Sequence, residues 1–302
     1  MKRRALLPAL ASLASFPLVA PGVPAAKKLE SSELTLTELS LPGDAAFGRV
    51  LLALPQQLPA RPELLILLHG LGETTEQGTG ARAFAERYGL LSAVARLTHP
   101  PLVRTYAEHD YFGDGRLDEL NQRLQRQPYR VPVVVCPFTP NPYKPGGDEV
   151  LARFASFVCG QLKAAVEERA GVTFPASRAM LSGVSLGGYL AIEIFLKHPE
   201  LFCALGTAQG AFGPKQASRY AAGVAAATER VGARRVEILT TSFDPYRRSN
   251  ELFHQQLRRR EQASRLRISP GPHDQRWLNE SGVIEMLLCA DDVFAEQRVA
   301  QP

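Results

Sequence analysis

The sequence feature that most constrains the fold is a regular alternation of short apolar runs and amphipathic stretches from Leu64 onward. Residues 64–68 are wholly apolar, which is typical of a strand buried on both faces. With two opening strands, the pattern predicts strands near residues 34–39, 50–53, 64–68, 131–136, 178–184, 202–208, 235–241 and 265–269. Helical periodicity predicts helices near residues 80–97, 148–169, 187–197, 216–230, 250–262 and 282–297.

This alternation predicts an α/β fold with a mostly parallel central sheet of about eight strands and helices on both faces. Because crossovers in such sheets are right-handed, the carboxyl ends of the strands meet at one edge, where ligands bind. No internal repeat or Gly-, Ser- or Pro-rich linker divides residues 26–302, which we predict to form a single domain. Since 45% of the side chains are apolar and 22% charged, disordered, collagen-like and coiled-coil chains are excluded.

The first 25 residues have the three-part pattern of a signal peptide. Three basic residues at 2–4 precede the uncharged stretch 5–20, and the small residues Val23 and Ala25 suit a cut after Ala25. The uncharged stretch is interrupted by two prolines and is shorter than the roughly 20 residues that a membrane-spanning helix needs. We therefore predict an exported protein, periplasmic or secreted, with no stable membrane anchor.

The charge balance argues against nucleic acid as a partner. The formal net charge is +5, and removal of the signal peptide would also remove Lys2, Arg3 and Arg4, which leaves +2. The remaining basic residues form no stripe interleaved with aromatic residues, and the run at 258–260 is best explained as a solvated helix face.

Export would place the four cysteines, Cys136, Cys159, Cys203 and Cys289, in an oxidising compartment. They could form up to two disulfides with three connectivities, but their apolar settings favour four buried free thiols. No CxxC pair and no Cys/His cluster has the spacing of metal ligands, so no metal site is predicted.

A nucleophilic serine is indicated by Gly183-Val184-Ser185-Leu186-Gly187, which fits G-x-S-x-G. In this motif a sharp turn from strand to helix exposes the serine hydroxyl at the edge of the sheet. The motif alone is weak evidence, but a predicted strand precedes it and the apolar helical stretch 188–192 follows it. The alternative interpretation is an ordinary loop serine.

A serine nucleophile needs a histidine base, and the base needs a carboxylate that fixes its tautomer. Only His198, His254 and His273 follow Ser185. His198 ends the helix that the serine turn opens and His254 lies in a helical pattern, whereas His273 follows a predicted strand in a Pro-Gly-Pro loop. The only aspartate between Ser185 and His273 is Asp244, which also follows a strand. We predict these three as a catalytic triad; a surface histidine and a capping aspartate are the alternatives.

The order of the segments LLILLHGLG, VVVCP, SGVSLGGYLA, FDPYRRSNELF and PGPHDQRW resembles the esterase D type of the α/β-hydrolase superfamily. This family includes carboxylesterases, feruloyl and acetylxylan esterases, S-formylglutathione hydrolase and mycolyltransferases. The resemblance covers about residues 64–294, and its most specific parts are Gly187-Gly188 and His273-Asp274 with Trp277 close behind. It implies the α/β-hydrolase fold and gives the three triad residues the roles of nucleophile, acid and base. The short HGLGE loop departs from the family pattern.

The tetrahedral intermediate of acyl transfer needs hydrogen-bond donors for its oxyanion. His69-Gly70-Leu71-Gly72 follows the strand at 64–68, where α/β-hydrolases place the first donor. We assign the backbone N–H of Leu71 as this donor and that of Leu186 as the second. His69 itself is interpreted as a structural residue of the loop.

The segment 98–132 is polar and irregular, with a helical pattern only near 117–124. It also departs from the family pattern, and it is a candidate lid or cap because insertions at this edge commonly cover a site. Tyr106, Tyr111, Phe112 and Tyr129 in the segment, with Phe138 and Tyr143 after it, could line a pocket. The alternative is a solvated insertion far from the site.

The sequence therefore predicts an exported serine ester hydrolase of the carboxylesterase type that works through an acyl-enzyme and needs no metal or organic cofactor. Its expected substrate is a small-molecule or carbohydrate-linked ester. The same triad would also suit an acyltransferase or amidase. A non-catalytic carbohydrate- or cell-wall-binding protein on a hydrolase scaffold is the alternative from another class. The sequence leaves the acyl and alcohol groups and the oligomeric state open.

Overall fold

The computed structural model describes residues 32–42, 46–106, 108–144 and 146–300; the predicted signal peptide lies outside these residues. At its centre is one eight-stranded sheet in the order β1-β2-β4-β3-β5-β6-β7-β8. Its strands are β1 (Leu34–Ser40), β2 (Arg49–Pro55), β3 (Leu64–Leu68), β4 (Val133–Pro137), β5 (Ala179–Gly183), β6 (Ala204–Ala208), β7 (Arg235–Phe243) and β8 (Ser264–Pro272).

The sheet is mostly parallel, as the sequence predicted. β2 pairs antiparallel with both β1 and β4, and all other neighbours are parallel. Every residue of β3, β4, β5 and β6 is buried. Full burial of a strand requires cover on both faces of the sheet, which explains why these four strands lack the polar alternation of half-exposed strands.

The helices differ from the predicted ones mainly in their interruptions. The predicted helix at 80–97 is two helices, because Gly89 has a left-handed φ of 80°. The predicted helix at 148–169 contains a π-helical turn at Val158–Leu162, and another π-helical turn, Leu278–Gly282, precedes the last helix. The α-helices are α1 (Gln77–Glu86), α2 (Leu90–Thr98), α3 (Arg116–Arg126), α4 (Gly147–Phe157), α5 (Lys163–Ala170), α6 (Leu186–Lys197), α7 (Pro214–Val231), α8 (Arg247–Arg258), α9 (Gln275–Trp277) and α10 (Val283–Ala300).

The strand order places a cleft at the carboxyl ends of β3 and β5. From β3 the chain passes to β4 on one side, and after β4 it returns to β5 on the other side. A sheet whose connections diverge in this way leaves a crevice outside the carboxyl ends of the two strands. The loop after β3 and the turn after β5 therefore face each other across this crevice.

The segment 98–132 is held against the end of the chain by buried ion pairs. Arg116 donates to Glu285 at 2.6 and 2.7 Å, and Arg123 donates to Asp291 and Asp292 at 2.7 Å. Because Glu285 and Asp291 are buried, removing either arginine would leave a buried charge without its counter-ion. The helix α3 is thus fixed along α10.

The aromatic side chains of this segment fall into two groups. Tyr111, Phe112 and Tyr129 are buried, and Tyr106 is exposed. The Tyr111 ring packs on Gly271, where an added Cβ would lie 2.7 Å from a ring carbon. Since Gly271 leads into the loop of His273, this part of the segment reaches the edge of the sheet that carries the predicted triad; the lid interpretation stays a prediction.

All four cysteines are free. Burial raises the pKa of both the Cys159 and the Cys203 thiols to about 12, so both are protonated at neutral pH. Within the part of the chain that the structure describes, no helix is both long and apolar enough to span a bilayer.

Candidate active site

Ser185 occupies a strained turn between β5 and α6. Its φ of 56° and ψ of −117° lie outside the regions that residues with a side chain usually adopt. The Ser185 N–H donates to the Ala208 carbonyl oxygen at the end of β6 at 2.8 Å. Such a backbone conformation costs about 1–3 kcal/mol and persists only where surrounding structure imposes it.

Glycines on both sides of Ser185 make this turn possible. A Cβ added to Gly187 would lie 2.0 Å from the Leu68 carbonyl oxygen, and one added to Gly183 would lie 2.4 Å from the Gly187 carbonyl carbon. Any other residue at either position would clash, because the opposing atoms belong to the backbone and cannot move aside. The two motif glycines therefore let α6 start directly against the end of β3.

The structure brings Ser185, His273 and Asp244 together. The His273 Nε2 lies 2.9 Å from the Ser185 Oγ, and its Nδ1 lies 2.9 Å from the Asp244 Oδ1. The tautomer with its proton on Nδ1 satisfies both contacts, because Nδ1–H donates to the carboxylate and Nε2 accepts from the serine hydroxyl. This arrangement can remove a proton from the serine as its oxygen attacks.

Both oxygens of the Asp244 carboxylate accept further hydrogen bonds besides the one from His273. Oδ2 accepts from the Thr240 hydroxyl at 2.6 Å, and Oδ1 accepts from the Tyr246 N–H at 2.9 Å. The Tyr246 ring packs edge-on against His273 with the ring centroids 5.7 Å apart. These contacts hold both the carboxylate and the imidazole plane in one orientation.

The residues 270–272, predicted as a loop, are the end of β8, and this end is tied to the neighbouring strands. The Pro272 carbonyl oxygen accepts from the Gln209 Nε2 at 3.0 Å and from the Thr241 hydroxyl at 3.2 Å. Gln209 follows β6 and has a left-handed φ of 51°. Sequence reasoning missed these positioning residues, whose only signal was their place at the carboxyl ends of strands.

The neighbouring Asp274 does not contact His273 as Asp244 does, but caps a helix. Its Oδ1 accepts from the Trp277 N–H at 2.9 Å, so it caps α9. An aspartate in this capping position satisfies a backbone donor that the helix leaves free.

The two predicted oxyanion donors lie on the two sides of the crevice. Leu71 opens a 3₁₀ turn, Leu71–Glu73, directly after Gly70. Leu186 is the first residue of α6, where N–H groups have no partner within the helix. A Cβ added to Gly70 would lie 3.6 Å from the Ser185 Cβ, so the loop after β3 passes directly beside the nucleophile.

A buried Tyr88–Glu73 pair supports this loop. The Gly70 N–H donates to the Tyr88 hydroxyl at 3.2 Å, and that hydroxyl donates to the Glu73 carboxylate. Glu73 also accepts from Arg87 at 3.0 Å and from Gln275, two residues beyond His273, at 3.3 Å. Burial, and then the adjacent Glu73 charge, raise the pKa of Tyr88, so it stays a neutral donor. Sequence reasoning missed both residues of this pair.

His69 has the geometry of a structural residue. Its Nδ1–H donates to the Gly70 carbonyl oxygen at 2.8 Å, and its Nε2 accepts from the Thr139 N–H at 2.8 Å. Burial lowers its pKa to about 4 from 6.5, partly offset by the bond to Gly70. His69 therefore links the loops after β3 and β4 as a neutral imidazole.

The burial of His69 predicts that the free energy of unfolding depends on pH. His69 binds a proton near pH 6.5 in the unfolded chain but only near pH 4 in the folded one, so acid favours unfolding across that interval. We expect His69 to remove about 2 kcal/mol from the free energy of unfolding between pH 7 and pH 5. Urea titrations of the wild type and of His69→Gln at both values measure this difference. An imidazole of His69 that titrates above pH 6 by NMR would contradict it.

A cavity of about 430 Å³ lies beside the triad loops. Its lining includes Tyr111, Phe243, Pro270 and Pro272, together with Glu108 and Asp110. Phe243 directly precedes Asp244, Pro272 directly precedes His273, and the Phe243 side chain is 78% exposed. Among the described residues, no group of three or more His, Cys, Asp or Glu side chains is placed to hold a metal ion.

Solved structures share this architecture at low sequence identity. A ferulic acid esterase is 16% identical with a TM-score of 0.62, and the alignment covers 87% of this chain and 99% of the other. The chain has the α/β-hydrolase fold. An S-formylglutathione hydrolase of Staphylococcus aureus is 14% identical with a TM-score of 0.54, over 86% of this chain and 98% of the other. The enterobactin esterase of Shigella flexneri is 16% identical with a TM-score of 0.54, over 90% and 59%. No family profile and no curated protein sequence matches the chain.

Proposed function

We propose that the protein is a serine ester hydrolase of the esterase D type. The observation that carries this proposal is the continuous contact from Ser185 through His273 to Asp244, with 2.9 Å at both steps. The strained serine turn supports it, because strain of this kind is found where a side chain must be held in a reactive position. The three structural neighbours, which are two esterases and one hydrolase by name, support it as well.

In the proposed reaction the Ser185 Oγ attacks the ester carbonyl carbon while its proton passes to the His273 Nε2. The carbonyl oxygen becomes an oxyanion, which accepts from the backbone N–H groups of Leu71 and Leu186. His273 then gives its proton to the leaving alcohol as the C–O bond breaks, and an acyl-enzyme remains. Water attacks the acyl-enzyme, its proton passes to His273, and the carboxylic acid leaves with the serine hydroxyl restored.

We propose that the 430 Å³ cavity beside the triad loops accepts part of the ester substrate. Its aromatic and proline walls offer an apolar surface, and Glu108 offers an acceptor for hydroxyl groups. Tyr111 would then bring the segment 98–132 into contact with the substrate, as the lid interpretation requires. The three neighbours carry the names of three different substrates, so the fold does not choose among them.

The proposed activity can be tested with a panel of esters that includes short and long p-nitrophenyl esters, feruloyl esters and acetylated sugars. We expect hydrolysis of at least one class, with saturation kinetics and with no added metal. A protein that binds a carbohydrate but hydrolyses none of these esters would instead support the non-catalytic alternative.

We also propose that the chain is exported after removal of residues 1–25. The basic, apolar and small-residue order at its start supports this proposal. The sequence of the N-terminus of the protein isolated from its cell envelope or medium tests it. A mature chain that starts near Ala26 is expected, and a retained Met1 would argue against export.

The Tyr88 hydroxyl should matter for turnover rather than for substrate binding. Tyr88→Phe removes the acceptor of the Gly70 N–H and frees the loop that carries the Leu71 donor. We expect kcat to fall about 10- to 100-fold with little change in KM, because the oxyanion forms only during the reaction. Tyr220→Phe is the matched control, since it removes a similar buried bond from tyrosine to Glu193 at 2.8 Å. Equal effects of the two variants would contradict a positioning role for Tyr88.

A further inference from the structure

Three neighbouring parallel strands are each preceded by an arginine. Arg130 lies three residues before β4, Arg61 three residues before β3, and Arg178 directly before β5. Because β4, β3 and β5 are adjacent and parallel, their amino ends meet at one edge of the sheet. This edge is opposite to the one that carries Ser185, so the arginines are not part of the candidate active site.

These arginines line one cavity of about 360 Å³. Arg298, from the end of α10, adds a fourth guanidinium, and Ser177 and Gln297 add neutral hydrogen-bonding groups. No aspartate or glutamate is among the residues that line it. The walls therefore carry positive charge and neutral polar groups but no negative side chain.

Two of the four guanidinium groups have no partner of their own. Arg298 donates to the buried carboxylates of Glu63 at 2.8 Å and Asp291 at 3.2 Å. Arg178 donates one hydrogen bond to the Pro62 carbonyl oxygen at 3.3 Å. Within the described ranges, Arg61 and Arg130 form neither an ion pair nor a hydrogen bond with a side chain or the backbone. Arg61, Arg130 and most of the Arg178 fork are thus free to bind an anion.

A second arginine-lined cavity in the same chain provides the contrast. It measures about 240 Å³ and is lined by arginines together with Glu119, Glu285 and Asp292. There Arg116 pairs with Glu285 at 2.6 Å, Arg265 with Asp292 at 3.0 Å and Arg267 with Glu285 at 3.4 Å. Among the described residues of the first cavity, Arg298 is paired with acids, whereas Arg61, Arg130 and Arg178 form no ion pair.

We propose that the cavity of Arg61, Arg130, Arg178 and Arg298 is a binding site for a doubly charged oxyanion group, specifically a phosphate monoester. Planar guanidinium groups donate pairs of parallel hydrogen bonds to phosphate oxygens, and several of them around one concave surface match the charge of a dianion. A cavity of this volume holds a phosphate with a small organic group attached. The site lies away from the triad and is separate from ester hydrolysis.

Titration of the wild-type protein with inorganic phosphate, followed by NMR at constant ionic strength, tests the proposal. We expect saturable shifts at the backbone amides near residues 61, 130 and 178, and none with the same concentration of chloride. Arg61→Ala and Arg130→Ala should each weaken phosphate binding about tenfold, which is typical of the loss of one charge-assisted contact. The double variant should lose saturable binding and keep its unfolding temperature and ester turnover.

Arg126→Ala, which removes an exposed arginine from the second cavity, is the matched control and should bind phosphate like the wild type. Unchanged phosphate binding in the double variant would overturn the proposal, as would equal shifts with chloride. Two further probes distinguish a soluble phosphate monoester from a lipid headgroup as the ligand. Saturable binding of glycerol 3-phosphate assigns a soluble ligand, whereas retention on phosphatidic acid vesicles that the double variant loses assigns a lipid headgroup.

Discussion

Replacement of Ser185 with alanine should lower ester turnover by about 10⁴- to 10⁶-fold, because triad residues act as a unit and little hydrolysis remains without the nucleophile. Among the described residues, the only side-chain hydrogen bond of Ser185 is the one to His273, so its loss removes no packing from the core. We therefore expect Ser185→Ala to unfold at nearly the wild-type temperature. Turnover of the preferred ester and a thermal unfolding curve on the same preparation check both parts.

Ser182→Ala is the matched control for this variant. Ser182 lies in β5, three residues before Ser185, and is buried. Its replacement should leave turnover within a few-fold of the wild type, since it does not contact the triad histidine. A Ser185→Ala protein that keeps wild-type turnover would show that another residue attacks the ester.

The second large effect is expected from Asp244→Asn, which should lower turnover by about 10⁴-fold. The carboxylate accepts from the His273 Nδ1–H at 2.9 Å and so keeps the proton away from Nε2. An asparagine amide in the same place donates to Nδ1 and favours the tautomer with the proton on Nε2, which cannot accept the serine proton. Assays of kcat with a soluble ester at pH 7 measure this loss.

Asp274→Asn separates the two adjacent candidates for the acid. Asp274 accepts from the Trp277 N–H and has no bond to the imidazole, so its replacement should cost about 1 kcal/mol of stability at most and little turnover. A low turnover in Asp274→Asn together with a high turnover in Asp244→Asn would reverse the assignment of the acid.

The sheet and the proximity of Ser185, Asp244 and His273 could be predicted from the sequence because both depend on local patterns in chain order. Buried parallel strands appear as short apolar runs; Ser185 and Asp244 follow the mostly buried strands β5 and β7, and His273 follows β8, which is only partly buried. Parallel strands bring their carboxyl ends to the same edge of the sheet, where Ser185 and His273 meet although they are 88 positions apart and β6 and β7 lie between their strands.

The interruptions of the helices could not be predicted in the same way. Gly89 lies inside a helical pattern, and its left-handed conformation is tied to the approach of Asn279, whose Oδ1 would lie 2.6 Å from a Cβ at this position. The π-helical turn at Val158–Leu162 keeps the chain helical and therefore leaves the apolar pattern nearly unchanged. Both features depend on tertiary packing, which a single sequence does not display.

The residues that hold the loop after β3 could not be predicted either. Glu73 and Gln275 are 202 positions apart, and nothing in the surrounding sequence links a glutamate after Gly72 to a glutamine after Asp274. Tyr88 lies two residues after α1, inside the helical pattern predicted at 80–97, which gives it no special role. Such contacts follow from the final positions of the loops rather than from any periodicity.

The most direct test of the account is covalent labelling with a fluorophosphonate probe followed by peptide mass spectrometry, because such probes bond only to an activated serine oxygen. We predict one adduct, on the peptide that contains Ser185, with no adduct in Ser185→Ala and much slower labelling in His273→Ala. Prior incubation with an ester that the protein hydrolyses should slow labelling of the wild type. Stable labelling at a different serine, or ester hydrolysis by a protein that the probe leaves unlabelled, would contradict the Ser185–His273–Asp244 assignment.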